Sequence, residues 1–125
     1  MEWGNLQRSD YGIRYAKLRA VGEAKGTVLI AQGFSEFIEK YFELMRDFSN
    51  SGYNVIAFDW RCQGKSGTFG GVPHDLAVTQ NFDAHIADLK ALTDHVLTSA
   101  APNYLVAHSM GGHLSARFLH DYPAV

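Results

Sequence analysis

The chain has a single cysteine, Cys62, in 125 residues. One thiol can build neither an internal disulfide framework nor a cysteine-rich zinc site, and it fits a reducing compartment. Long hydrophobic runs are missing as well. No stretch approaches the ~18 apolar residues of a membrane span, and the opening MEWGNLQRSD lacks the apolar core of a secretory signal. Basic runs are absent, and eleven Lys and Arg against thirteen Asp and Glu leave a net charge of −2, a poor match for a phosphate backbone. The expectation is a soluble, cytoplasmic chain with no nucleic-acid partner and no transmembrane segment, while peripheral contact with a membrane stays open. No repeat, linker or low-complexity segment divides it. What is present is core material: 46% hydrophobic and 13% aromatic residues suit one globular domain.

Three short apolar runs, Thr27–Ala31, Asn54–Phe58 and Tyr104–Ala107, are near-continuous, the pattern of strands buried on both faces of a parallel sheet. Helical periodicity lies between them. From Glu36 to Ser49, Ile38, Tyr41, Phe42, Met45 and Phe48 recur at three- and four-residue spacing, and Asn50–Gly52 supplies a stop. From Asn81 to Thr98, Phe82, Ile86, Leu89, Leu92 and Val96 form a second stripe, with Asp83, Asp88 and Lys90 on other faces. A third helix follows Ser109 and ends at Pro123, and Asn5–Leu18 reads as a hairpin turning around Ser9–Gly12. The fold class is therefore α/β: a hairpin, then a mostly parallel sheet flanked by helices on both sides. Gly64–Asp75 is the one long irregular connection, a place where such folds carry working residues.

The stretch Ala107-His108-Ser109-Met110-Gly111 runs from the end of an apolar strand into a helix. That is the context of a nucleophile elbow, in which small residues two positions either side of a serine let strand and helix approach, and the helix N-terminus faces the reacting centre. Ser109 is the candidate nucleophile; an ordinary helix-capping serine is the plainer alternative. Such a site needs a second backbone N–H from the loop after the first central strand. In the loop Ala31–Phe37, Gly33 permits a close turn, and the N–H of Phe34 would pair with that of Met110 around a developing oxyanion; the alternative is a glycine turn with Ser35 as a cap.

With these motifs in place, the chain resembles the N-terminal half of an α/β-hydrolase of the lysophospholipase and monoacylglycerol lipase group. That group's His-Gly-x-x-Glu loop, followed by a basic residue and a tyrosine, is matched by Gly33, Glu36, Lys40 and Tyr41. Its Asp-x-Arg-Gly-x-Gly-x-Ser loop is matched by Asp59, Arg61, Gly64 and Ser66, and its His-Ser-Met-Gly-Gly elbow by His108 to Gly112 in full. Gln32 replaces the group's histidine, which leaves a backbone oxyanion donor intact, and Cys62 replaces a glycine, which puts a side chain where positive φ is expected. The resemblance implies a serine ester hydrolase acting on acyl esters or lysophospholipids, with no cofactor and no metal. It also implies that residues 1–125 form a partial α/β-hydrolase domain of five strands and three helices, and that Asp59 shapes its loop.

The triad acid and histidine come later than the serine in this fold. His120, at ~1.5 Å per residue along the same helix, lies roughly 16 Å from Ser109 and cannot be the base. His108 and His113 read as packing or capping residues, since the elbow aims the serine away from its helix. His74, His85 and His95 lack ligand spacing and read as solvated. Cys62 has no paired histidine and reads as inert. The chain alone is expected to be inactive and to expose Tyr104–Ala107 as an apolar sheet edge. A hydrolase-fold module that binds without catalysing is the competing function.

Overall fold

The computed structural model describes residues 1–9, 11–66, 82–98 and 101–124. Five strands form one mixed sheet in the order β1-β2-β4-β3-β5. The hairpin strands β1 (Glu2–Gln7) and β2 (Gly12–Leu18) pair antiparallel, and β2 runs antiparallel to β4 (Asn54–Phe58). Strand β3 (Thr27–Ala31) lies parallel between β4 and β5 (Asn103–Ala107). The three apolar runs of the sequence thus form the parallel part, and the hairpin extends it on one side.

Alternation along β3 and β4 divides the core into two layers, because successive side chains leave opposite faces of a strand. Val28, Ile30, Val55 and Ala57 pack with Ile38 and Met45 beneath α1 (Phe42–Asn50). Leu29, Ala31, Ile56 and Phe58 pack on the other face with α2 (Phe82–Val96) and α3 (Met110–Asp121), through Ile86, Leu89, Leu92, Leu114 and Phe118. Helices therefore cover both faces, as the periodicity predicts. The first helix departs from its predicted extent: Glu36 and Phe37 are not helical, and a 3-10 turn, Ile38–Tyr41, precedes α1. The cause is tertiary. The Ile38 N–H donates to Asp59 Oδ1 at 2.9 Å and the Glu36 carbonyl accepts from Gln32 Nε2 at 3.1 Å, so these backbone groups are bound outside any helix. At its other end α1 stops as expected, with Gly52 at φ +94°. The long connection Gly64–Asp75 lies outside the described residues from 67 onward.

No helix among the described residues is long and apolar enough to cross a membrane. Strand β5 has one partner, β3, among the described residues, and it is far less buried than β3 and β4. An apolar recess of about 340 Å³ opens beside it between Ile30, Tyr41, Leu44 and Val106, and another of about 270 Å³ between Leu29, Leu105, Phe118 and Leu119. Unpaired edge groups flanked by apolar surface template further pairing. The 125-residue chain is therefore expected to self-associate with rising concentration in sedimentation velocity; a monodisperse monomer at all concentrations would contradict this.

Candidate active site

Ser109 occupies the two-residue turn, His108–Ser109, between β5 and α3 with φ +53° and ψ −120°. A non-glycine residue there costs of order 1–3 kcal/mol, and the surrounding structure must impose it. The reason is visible on both sides. The His108 N–H is held by the Ala31 carbonyl at 3.1 Å, while the Ser109 carbonyl accepts from the amides of Gly112 and His113 at 2.9 and 3.2 Å. The serine hydroxyl makes no cap to α3, so the capping alternative is not what this side chain does; it is exposed.

The two glycines after the serine differ in what they must do. A Cβ on Gly111 would collide with the carbonyl oxygens of Ala31 and Gln32, whereas one on Gly112 would meet nothing within 4 Å. Gly111→Ala is thus expected to destabilise by about 1–3 kcal/mol through overpacking against rigid strand backbone. Gly112→Ala, inside α3, is expected to be neutral or to stabilise by up to about 1 kcal/mol. Urea denaturation of the two variants checks both.

The loop after β3 lies against this turn. A Cβ on Gly33 would sit 3.3 Å from Ser109 Cβ and 3.2 Å from His108 Nδ1. Phe34 follows, half exposed, and the amide N–H groups of Phe34 and Met110 donate to no other described residue. Ser35 does not cap the next turn: it has φ +58°, and its N–H donates to Gln63 Oε1 at 2.6 Å. The sequence motif therefore brings Gly33, Phe34, Ser109 and Met110 into one neighbourhood.

Asp59, fully buried at the end of β4, organises both loops around it. Its Oδ1 accepts from Gln32 Nε2 at 3.1 Å and from the Ile38 N–H, and its Oδ2 accepts from Arg14 Nε at 2.7 Å and the Lys65 N–H at 2.9 Å. Gln32 thereby holds the loop from inside, and its carbonyl accepts from Trp60 Nε1 at 2.7 Å. A side chain on Gly64, at φ +53°, would run into the Asp59 carboxylate. Cys62 is buried at φ +59°, so the cysteine does stand at a position that glycine would occupy without strain.

Two expectations need correction. The expectation puts Asp88 on a face of its helix away from the apolar stripe, but it is buried: it accepts from Arg61 Nε at 2.7 Å, Tyr11 Oη at 2.5 Å and Arg8 Nε at 3.0 Å, and Arg61 Nη2 also reaches Tyr11 Oη. Burial alone would lower the basicity of Arg61, yet the hydrogen bond and charge of Asp88 raise it above its ordinary value. His85 is likewise buried instead of solvated, beside Trp60 and Phe82. The sequence signal for both is spacing: Phe82, His85 and Asp88 recur every three residues beside the Ile86, Leu89 and Leu92 stripe of α2.

The other imidazoles are dispersed. His108 Nδ1 faces Glu36 Oε1 at 3.1 Å, His113 packs near Phe82, His120 is exposed beside Asp121, and His95 meets Tyr15 Oη at 3.2 Å. His74 lies outside the described residues. Among the described residues no group of three or more His, Cys, Asp or Glu could hold a metal.

Glu36 is a charged group that sequence periodicity alone does not single out, and its carboxylate lies between the Gly33 N–H and the His108 ring. Burial opposes its ionisation, but hydrogen bonds from Tyr41 Oη and the Gly33 N–H, with His108 and Lys40 nearby, hold its carboxyl below the usual range. Burial and the Glu36 contact push the Tyr41 hydroxyl up. A depressed carboxyl stabilises the fold fully above its unfolded pKa and loses that contribution as pH falls through its folded value. Stability of the wild type is therefore expected to fall more steeply on acidification below the ordinary carboxylate range than stability of Glu36→Gln. Parallel slopes in urea titrations at several pH values would refute this.

The chain is similar to known proteins in sequence and in fold. The family model of serine aminopeptidase, S33 (Hydrolase_4), matches residues 22–125. Lysophospholipase L2 of Escherichia coli strain K12 is 34% identical over 118 residues, which cover 93% of this chain and 34% of that protein. Monoglyceride lipase of Saccharomyces cerevisiae is 28% identical over 115 residues, covering 90% of this chain and 36% of that protein. The chain spans about a third of the length of the curated relatives it matches. Among solved structures, the thioesterase domain from the curacin biosynthetic pathway superposes with a TM-score of 0.79 at 21% identity, over 98% of this chain and 42% of that one. An α/β hydrolase from a Medee basin deep-sea metagenome library gives 0.77 at 18% identity, over 96% of this chain and 40% of that one. These structural likenesses establish the fold.

Proposed function

The chain belongs to the serine aminopeptidase S33 (Hydrolase_4) family of α/β-hydrolases, and on that premise we propose that it carries the nucleophile and oxyanion half of a serine ester hydrolase acting on lysophospholipids or monoacylglycerols. Residues 1–125 are read as a partial α/β-hydrolase domain. The observation that carries the proposal is Ser109 itself: exposed, at positive φ between β5 and α3, with a hydroxyl that caps nothing and with Gly33 packed against it. A strained, solvent-facing serine beside two uncommitted amides suits attack on an acyl carbonyl.

In this reading a histidine held by a carboxylate, a pair other than His108 and Glu36, takes the serine proton. Ser109 Oγ bonds to the acyl carbon, and the N–H groups of Phe34 and Met110 stabilise the oxyanion. The C–O bond to the glycerol moiety breaks as the histidine returns the proton to the leaving alkoxide. Water then hydrolyses the acyl-enzyme, regenerating the serine and releasing a fatty acid. The ester class is supported by the two curated relatives, a lysophospholipase and a monoglyceride lipase.

Two assays test the proposal. The 125-residue chain alone is expected to show little turnover of p-nitrophenyl esters, because an elbow serine without its base is a weakly nucleophilic alcohol. The enzyme completed with a triad acid and histidine is expected to release fatty acid from lysophosphatidylcholine or monoacylglycerol. Cleavage of aminoacyl amides without ester cleavage would overturn the substrate assignment, and robust hydrolysis by the short chain through His108 or His113 would overturn the mechanism.

A further inference from the structure

The sheet ties the two halves of the site together only up to a point. Pairing between β3 and β5 ends at Ala31 opposite Ala107, followed by one last backbone bond from the His108 N–H to the Ala31 carbonyl. Beyond it the two segments that present Phe34 and Ser109 continue without further backbone pairing among the described residues. There the Glu36 carboxylate bridges them. Its Oε2 accepts from the Gly33 N–H at 2.9 Å, immediately before Phe34, and its Oε1 lies 3.1 Å from His108 Nδ1, immediately before Ser109. Tyr41 Oη donates to the same Oε2 from the 3-10 turn, which sets the carboxylate itself.

We propose that Glu36 is a positioning residue that fastens the Phe34 loop to the Ser109 turn and so fixes the separation of the two oxyanion amides. The proposal rests on the functional reading of Ser109 given above. Its physical basis is that an oxyanion donor works within a narrow distance range, and a displacement of about 1 Å can cost on the order of 100-fold in rate. Gly33 lies so near the Ser109 turn that an added Cβ would sit 3.3 Å from Ser109 Cβ, so motion of either loop changes this distance directly. A single carboxylate with two oxygens can hold both loops at once, one contact to each. Lys40, Tyr41 and His108 surround Glu36 and favour its charged form.

The test has a structural and a kinetic arm. In nuclear magnetic resonance of the full 125-residue chain, the Gly33 amide proton is expected far downfield and close in space to the His108 ring. Glu36→Ala is expected to move it upfield and to weaken that proximity. In the enzyme supplied with a triad acid and histidine, Glu36→Ala is expected to lower kcat about 100-fold with KM changed by less than about twofold, and Ser109→Ala is measured beside it. If Ser109→Ala is inactive while Glu36→Ala keeps wild-type kcat, the positioning role falls and the functional reading stands. If Ser109→Ala stays active, the functional reading falls, and the resonance data alone decide whether Glu36 joins the loops. Should Glu36→Ala fail to fold, the wild-type spectrum still decides: absence of the Gly33–His108 proximity overturns the proposal.

Discussion

Replacing Ser109 by alanine is expected to cut turnover of the completed hydrolase by on the order of 10⁶, the scale of losing a triad nucleophile. A fluorophosphonate probe should label Ser109 in that enzyme and leave Ser109→Ala unlabelled, since such probes imitate the tetrahedral intermediate and require an activated serine beside an oxyanion site. Two comparisons guard the interpretation. Cys62→Ser should do far less to turnover, because this buried thiol sits in the turn that follows β4 and not in the Ser109 turn. Gly33→Val should impair turnover more than it impairs folding, because a side chain there presses on His108 and Ser109 at 3.2 and 3.3 Å, which shifts the loop that presents Phe34. Near-normal activity in Ser109→Ala with loss in Cys62→Ser would make the elbow a structural turn.

Replacing Asp88 by alanine is expected to destabilise the fold by about 3–5 kcal/mol, because removing one partner of a buried ion pair leaves the other charge uncompensated. Arg61 and Tyr11 both depend on Asp88, and Arg61 belongs to the same post-β4 loop as Gly64 and Ser66. A loss of that size is a large share of the ~5–15 kcal/mol that holds a domain together. Exchanging the charged pair for apolar residues, Asp88→Leu with Arg61→Met, is expected to recover much of the loss, since burying both charges carries a desolvation cost of its own. Urea midpoints of wild type, single and double variants measure this; equal destabilisation by Asp88→Ala and by an exposed control such as Asp94→Ala would refute it.

The sheet and its helices were legible because their cause is local. Val28 to Ala31 and Val55 to Phe58 are apolar on both faces, and only a strand covered on both sides uses such a run. The strand-to-helix turn at Ser109 was legible for the same reason: Ser109, Gly111 and the flanking strand lie within a few residues of one another. The start of the first helix was not. Nothing between Glu36 and Ile38 announces that a carboxylate twenty-one positions later, Asp59, binds the Ile38 amide and holds the turn open.

Asp88 and His85 show the opposite failure, in which a polar residue was read by its own character. Sequence by itself determined the order of strands and helices, the buried faces of β3 and β4, and the presence of a serine at a strand-to-helix turn, since periodicity and steric need at glycine are properties of neighbouring residues. Tertiary structure decided which of the two elbow glycines is sterically required, that Asp59 and Asp88 are buried hubs, and that Glu36 reaches both Gly33 and His108. Each of those outcomes depends on groups brought together from distant parts of the chain, where burial makes an unpaired charge costly and a hydrogen bond to it correspondingly decisive.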